Sequence, residues 1–147
     1  MVDQLDLKIL ETLRLDASLP FTEIAKRFKI SESTVRKRVE RLIREGVIKK
    51  FTVTVNPAKI GFNTVAIVGV DVDPSKLLEV AQKLCEIPET VYVATSTGDH
   101  MIMTEIWTRD GRELTRILSE KIGSIEGVKR FAHPLYWKNL RSRHVEN

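Results

Sequence analysis

Hydrophobic positions along this chain follow two successive periods. From Asp3 onward, Leu5, Ile9, Leu10 and Leu13 recur at intervals of three and four, with Asp3 placed as an N-cap. That spacing predicts one buried helical face. "LDASLP" interrupts it, and Pro20 opens a second helix, "PFTEIAKRF", with Ile24, Ala25 and Phe28 inward. The short connection "KIS" leads to a third helix, which Ser31 caps and Gly46 ends. In it Val35, Val39, Leu42 and Ile43 form the apolar stripe. Two short helices joined this tightly, the second one basic, predict a helix-turn-helix. Ala25 is small enough for the helices to cross closely, and Ile30 and Val35 fill the wedge between them. Such turns usually carry glycine at a positive φ. Lys29 stands there instead, so a strained or altered turn is expected.

After Gly46 the period shortens. "VIKKFTVTVNP" alternates and is rich in β-branched residues, predicting a strand that Asn56-Pro57 ends. A helix-turn-helix followed by such a strand is a winged arrangement, with Lys49 and Lys50 at the base of the wing. Further on, "NTVAIVGVDVDP" predicts a strand and "SKLLEVAQKLCEI" a helix burying Leu77, Leu78, Val80, Ala81 and Leu84. "TVYVATSTG" and "MIMTEIWT" predict a hairpin about Gly98-Asp99. "DGRELTRILSEKIGSI" predicts a helix capped by Asp110, and "GVKRFAHPLYW" a last strand. The order β-α-β-β-α-β is ferredoxin-like. The fold class is therefore α+β: a winged helix-turn-helix, then a βαββαβ domain whose second sheet face awaits a cover, as in a dimer. The expected boundaries are 1–50 for the DNA-binding domain, 51–61 for strand and linker, 62–140 for the βαββαβ domain and 141–147 for a polar tail.

Charge divides along the same line. Residues 1–61 hold 13 Lys/Arg against 8 Asp/Glu, whereas residues 62–147 hold 11 against 12. An excess of cations confined to one half points to a polyanion partner for that half. On the third helix, Ser33, Thr34, Lys37, Glu40, Arg41 and Arg44 lie opposite the apolar stripe, with Arg36 and Arg38 at its borders. Residues near the N-terminus of a recognition helix reach base edges, which selects Ser33, Thr34 and Lys37. Arg36, Arg38 and Arg41 either contact phosphates or secure the helix to its neighbours. Lys49 and Lys50 complete the candidate DNA-binding set of Ser33, Thr34, Arg36, Lys37, Arg38, Arg41, Lys49 and Lys50.

Other classes fit less well. The longest apolar run, Val65 to Val70, is far too short to cross a bilayer, and "MVDQLDLK" lacks the layout of a signal peptide, so a cytoplasmic protein without a membrane partner is expected. His100, His133 and His144 lack metal-ligand spacing, and no glycine-rich phosphate loop appears. Neither enzyme activity nor a cofactor is expected. The single cysteine, Cys85, reads as structural. An RNA-binding reading of the βαββαβ order needs base-stacking aromatics in the first and third strands, and "TVAIVGVDV" has none.

Together, "LDLKILETLRLDASLPFTEIAKRFKISESTVRKRVERLIREGVI" and "GVDVDP…STGDHMIM…GVKRF" resemble the Lrp/AsnC (leucine-responsive regulator/asparagine regulator, feast/famine) family over nearly all of the chain, to about residue 140. The charge content suits an archaeal member. The resemblance implies a sequence-specific transcription regulator acting on double-stranded DNA, a homodimer assembling into a tetramer or octamer, and an amino acid or related metabolite bound between dimers. It places the effector near Gly98, Asp99, His100 and Met101, with His133 altering the pocket. The family commonly reads Thr-Gly-x-aromatic-Asp there, whereas this chain has His100 and Met101 in the last two places. Either Asp99 supplies the anionic partner for an ammonium, or the ligand differs or is absent. An architectural DNA-binding protein without an effector is the alternative function.

Overall fold

The computed structural model of the chain describes residues 1–132 and the two-residue strand Leu135–Tyr136. It divides into two compact units, one within residues 1–54 and one beginning at Val55.

The first unit holds α1 (Gln4–Leu15), α2 (Phe21–Phe28) and α3 (Glu32–Arg44). A reciprocal capping box starts α1: Asp3 Oδ1 accepts from the Asp6 N–H at 2.8 Å, and Asp6 Oδ2 accepts from the Asp3 N–H at 2.9 Å. Ile9 and Leu13 of α1, Ile24 and Ala25 of α2, and Val35 and Val39 of α3 pack into one core. Pro20 precedes α2 as its N-cap. The turn between α2 and α3 is left-handed at Lys29, with φ 55°. There the Ile30 N–H donates to the Ala25 carbonyl at 3.0 Å. A lysine has thus taken a conformation that suits glycine, at a cost of about 1 kcal/mol.

The wing differs from expectation. No strand forms over "VIKKFTVTVNP"; Phe51, Val53 and Val55 are exposed. A strand exists only where its N–H and C=O groups meet a partner strand, and no described strand pairs with this segment.

In the second unit, β1 (Thr64–Val72), α4 (Leu77–Cys85), β2 (Thr90–Thr95), β3 (Ile102–Thr108), α5 (Gly111–Arg116) and β4 (Val128–Phe131) follow the βαββαβ order. The sheet order is β2-β3-β1-β4, antiparallel throughout, and β5 (Leu135–Tyr136) also pairs β1. The expected last strand is therefore split, β4 lying against Val70–Val72 and β5 against Ala66–Ile67. Asp110 caps α5, accepting from the Glu113 N–H at 2.8 Å. The helix then widens into a π turn, Ile117–Ile122, that buries Ile117, Leu118 and Ile122.

Alternation along the strands separates the two sheet faces. Ala66, Val68, Val70 and Val72 of β1, with Ile102 and Ile106 of β3, meet Val80 and Leu84 of α4 and Leu114 beyond. Val65, Ile67, Gly69 and Asp71, with Met103, Glu105 and Trp107, point the other way. Leu78 is exposed rather than buried, because it sits a quarter-turn off the stripe through Leu77, Ala81 and Leu84. Cys85 is likewise exposed, at the end of α4. Among the described residues no helix is long and apolar enough to cross a membrane.

Candidate nucleic-acid interface and effector loop

Ser31 builds the entrance to α3. Its Oγ accepts from the Thr34 N–H at 3.1 Å and lies 2.9 Å from Ser33 Oγ and 2.7 Å from Thr34 Oγ1. The two hydroxyls named from sequence are thereby gathered at the helix N-terminus, Ser33 exposed and Thr34 half-buried. Lys37 is exposed one turn on and makes no ion pair or side-chain hydrogen bond among the described residues. Arg36 is held between Glu32 at 2.5 Å and the ring of Phe21, 5.4 Å from its centroid. Lys49 and Lys50 are exposed just beyond α3.

Arg38 and Arg41 are placed differently. Arg38 Nη1 donates to Asp3 Oδ2 at 2.6 Å and to Asp6 Oδ1 at 2.8 Å, and Arg41 Nη2 donates to Asp6 Oδ2. Asp6 is fully buried. Burial works to raise its pKa, but the Asp3 backbone N–H, the Arg38 hydrogen bond and the Arg41 charge outweigh it, and the carboxyl titrates below its ordinary value. Asp3 is pulled down to about 2, chiefly by its hydrogen bond from Arg38. These two aspartates pin α3 to α1, and neither is among the sequence-derived candidates. A signal was present: Asp6 lies three, four and seven residues before Ile9, Leu10 and Leu13, inside the apolar stripe.

In the second unit the β2–β3 connection is a wide loop, closed by the Ser96 N–H on the Met101 carbonyl at 2.9 Å. It is not a tight two-residue turn, and Gly98 keeps a negative or extended φ. Gly98 and Asp99 are exposed at its tip. His100 and Met101 part company: Met101 packs against the helix-side core, and His100 lies on the opposite sheet face over Gly69. His100 Nδ1 is 3.1 Å from Asp71 Oδ1, and Arg130 Nε pairs with Asp71 Oδ2. Arg130 first, then His100, hold the Asp71 carboxyl below its usual range. His133 lies outside the described residues. The structure thus leaves Gly98 and Asp99 at the exposed tip, seats His100 on the sheet beside Asp71 and Arg130, and sends Met101 to the helix-side core.

A compact three-helix unit with a basic, capped second helix of a helix-turn-helix defines a DNA-binding domain, which a βαββαβ domain follows. Comparison with known proteins agrees. A winged helix-turn-helix DNA-binding model matches residues 2–49, and the Lrp/AsnC ligand binding domain matches residues 65–141. The HTH-type transcriptional regulator LrpA of Pyrococcus horikoshii is 48% identical over 141 residues, covering 96% of this chain and 100% of that protein. LrpA of Pyrococcus abyssi matches to the same extent. Among solved structures, Escherichia coli AsnC superposes with a TM-score of 0.85 at 26% identity, covering 97% of each chain. A Neisseria meningitidis regulator solved with L-Met superposes with a TM-score of 0.87 at 18% identity, covering 99% of this chain and 97% of that one, a likeness of fold. The chain belongs to the Lrp/AsnC family; it is a DNA-binding transcription regulator, and not an enzyme.

Proposed function

We propose that this regulator reads specific sites in double-stranded DNA in the cytoplasm by laying α3 in the major groove. Ser33, Thr34 and Lys37 meet base edges, while Arg36, Lys49 and Lys50 meet phosphates. Arg38 and Arg41 hold α3 on α1. The observation that carries this reading is the exposed edge of α3 from Ser33 through Lys37, presented on a helix whose opposite face is fixed by Val35, Val39 and the Asp6 ion pairs. A dimer formed through the sheet face bearing Ile67, Met103 and Trp107 presents two such helices about 34 Å apart, and dimers assemble further into a tetramer or octamer. An amino acid or related metabolite is its effector, taken near Gly98, Asp99 and His100, with Asp99 facing the ammonium; the match to a ligand binding domain supports this. The proposed domain limits are 1–50, 51–61, 62–140 and 141–147.

The test is selection from a random-sequence duplex pool by the full-length protein, followed by binding of Lys37→Ala. The expected result is an enriched site, for which the variant loses about 1–3 kcal/mol while its affinity for the unselected pool changes little. Equal losses on both would remove Lys37 from base reading, and no enrichment would leave an architectural protein. Thermal-shift screening of amino acids, repeated on Asp99→Ala, tests the effector loop.

A further inference from the structure

Asp6 has a second consequence beyond holding the helices together. We propose that Asp6, with Asp3 beside it, is a specificity-determining residue: it occupies Arg38 and Arg41 as a phosphate would, and so withholds them from the DNA backbone. The proposal rests on the docking of α3 given above.

Three features carry it. First, both oxygens of Asp6 are taken by the arginines, Oδ1 by Arg38 and Oδ2 by Arg41, while the capping box fixes the Asp3 and Asp6 carboxylates against α1. Second, the two guanidiniums are turned inward. The side chain of Arg38 is 25% exposed and that of Arg41 31%, against 54% for Arg36 on the same helix. The Nε of Arg41 is buried, with no hydrogen-bond partner among the described residues. Third, a carboxylate and a phosphate present the same paired anionic oxygens to an arginine fork, so the two compete for it. The depressed titration of both aspartates keeps the competitor charged throughout the neutral range.

The effect on recognition follows from how the two kinds of contact count. Phosphate contacts add affinity for every sequence alike, and base contacts add it for one. Two arginines on the backbone would strengthen binding to random DNA and dilute the share of affinity that α3 draws from base edges. Held on Asp6, they fix the aim of the helix and add little sequence-blind attraction.

The experiment uses the full-length protein, a random-sequence duplex pool, and a duplex selected from that pool by the wild type. Affinity is measured by fluorescence anisotropy across a salt series, with the active fraction titrated and urea unfolding run on each variant. Asp6→Asn, which frees Arg41 while Asp3 still holds Arg38, should steepen the slope of log affinity against log salt on the pool by about 0.9 per protomer, rising to about 2 only where Arg38 leaves Asp3 as well, and lower the selected-to-random affinity ratio. A merely structural role would reduce the active fraction and leave slope and ratio alone. Asp3→Asn, which removes one partner of Arg38 only, should steepen the slope by no more than about 0.9, and Arg41→Met should leave it unchanged because no phosphate contact is lost. A folded Asp6→Asn with an unchanged or shallower slope overturns the proposal, as does an Arg41→Met slope shallower by about one. Should Asp6→Asn not fold, Asp3→Asn and Arg41→Met decide by the same criteria. If the wild type enriches no site, the docking of α3 fails; if it enriches one and the slopes do not move, this inference alone fails.

Discussion

Replacing Gly69 by alanine tests how the β2–β3 loop is seated. A Cβ built on Gly69 would fall inside contact range of Cδ2 and Cγ of His100 and 2.9 Å from its Cβ. No other group is among its nearest neighbours, so the imidazole must leave. Departure breaks the 3.1 Å contact between His100 Nδ1 and Asp71, in a site where those side chains are 26% and 16% exposed. Overpacking of this kind costs about 1–3 kcal/mol, and a half-buried hydrogen bond about 1 kcal/mol more. Gly69→Ala should therefore destabilise the chain by about 2–4 kcal/mol. His100→Ala alone should cost about 1–2 kcal/mol, since it gives up the same bond and some packing. The decisive measurement is the double-mutant cycle in urea at one fixed protomer concentration. In the His100→Ala background the two closest contacts are gone and the Cβ at 2.9 Å remains, which a small backbone adjustment relieves. Gly69→Ala should then cost under about 1 kcal/mol, giving a coupling energy above about 1 kcal/mol. Additivity of the two substitutions within about 0.5 kcal/mol would show that His100 does not rest on Gly69, and the loop geometry would fall with it.

Other perturbations test separate parts of the molecule. Lys29→Gly should stabilise the helix-turn-helix by up to about 1 kcal/mol, and Lys29→Ala should not, because the left-handed conformation penalises any Cβ; thermal melts of the three proteins decide. Because Asp3 titrates at about 2 in the folded chain against 3.8 ordinarily, its ion pair contributes fully above pH 3.8 and is lost as the pH falls toward 2. Asp3→Asn should therefore flatten the acid limb of stability measured by circular dichroism, and an unaltered limb would contradict the pairing with Arg38. Met103→Glu, on the sheet face away from the helices, should shift the chain toward monomer in ultracentrifugation with its fold retained; an unchanged oligomer would place the interface elsewhere.

What the sequence made legible, and what it hid, divides along a physical line. The three helices and the βαββαβ order came through because each element carries its own period and its own boundary signal, as with Ser31 opening α3 and Asp110 opening α5. The segment 47–55 carries a strand's pattern too. A pattern records a preference, however, while a strand is a pairing, and no partner for it stands among the described strands. Leu78 failed on a finer point, since its apolar character says nothing of the quarter-turn that turns it to solvent. Arg38 and Arg41 were legible as cations on a helix. Their partners were not, because the contacts span 32 and 35 residues of sequence.

The residues that hold these polar side chains share one property: each departs from the apolar pattern of its element. Asp6 breaks the stripe of α1, and it fixes Arg38 and Arg41. Asp71 ends the apolar run of β1 and Gly69 leaves a gap within it, and they seat His100 and Arg130. A carboxylate at a core position is stable only with a cationic partner, and a glycine in a central strand marks close approach of another group. The interruptions are thus statements about contacts that periodicity cannot contain. An Asp within the stripe of α1 requires a cation from elsewhere in the fold, and in this chain the cation-rich element beside it is α3. Breaks in the pattern carry information about the site because burying them demands a specific neighbour, whereas any apolar residue of suitable size satisfies the positions between.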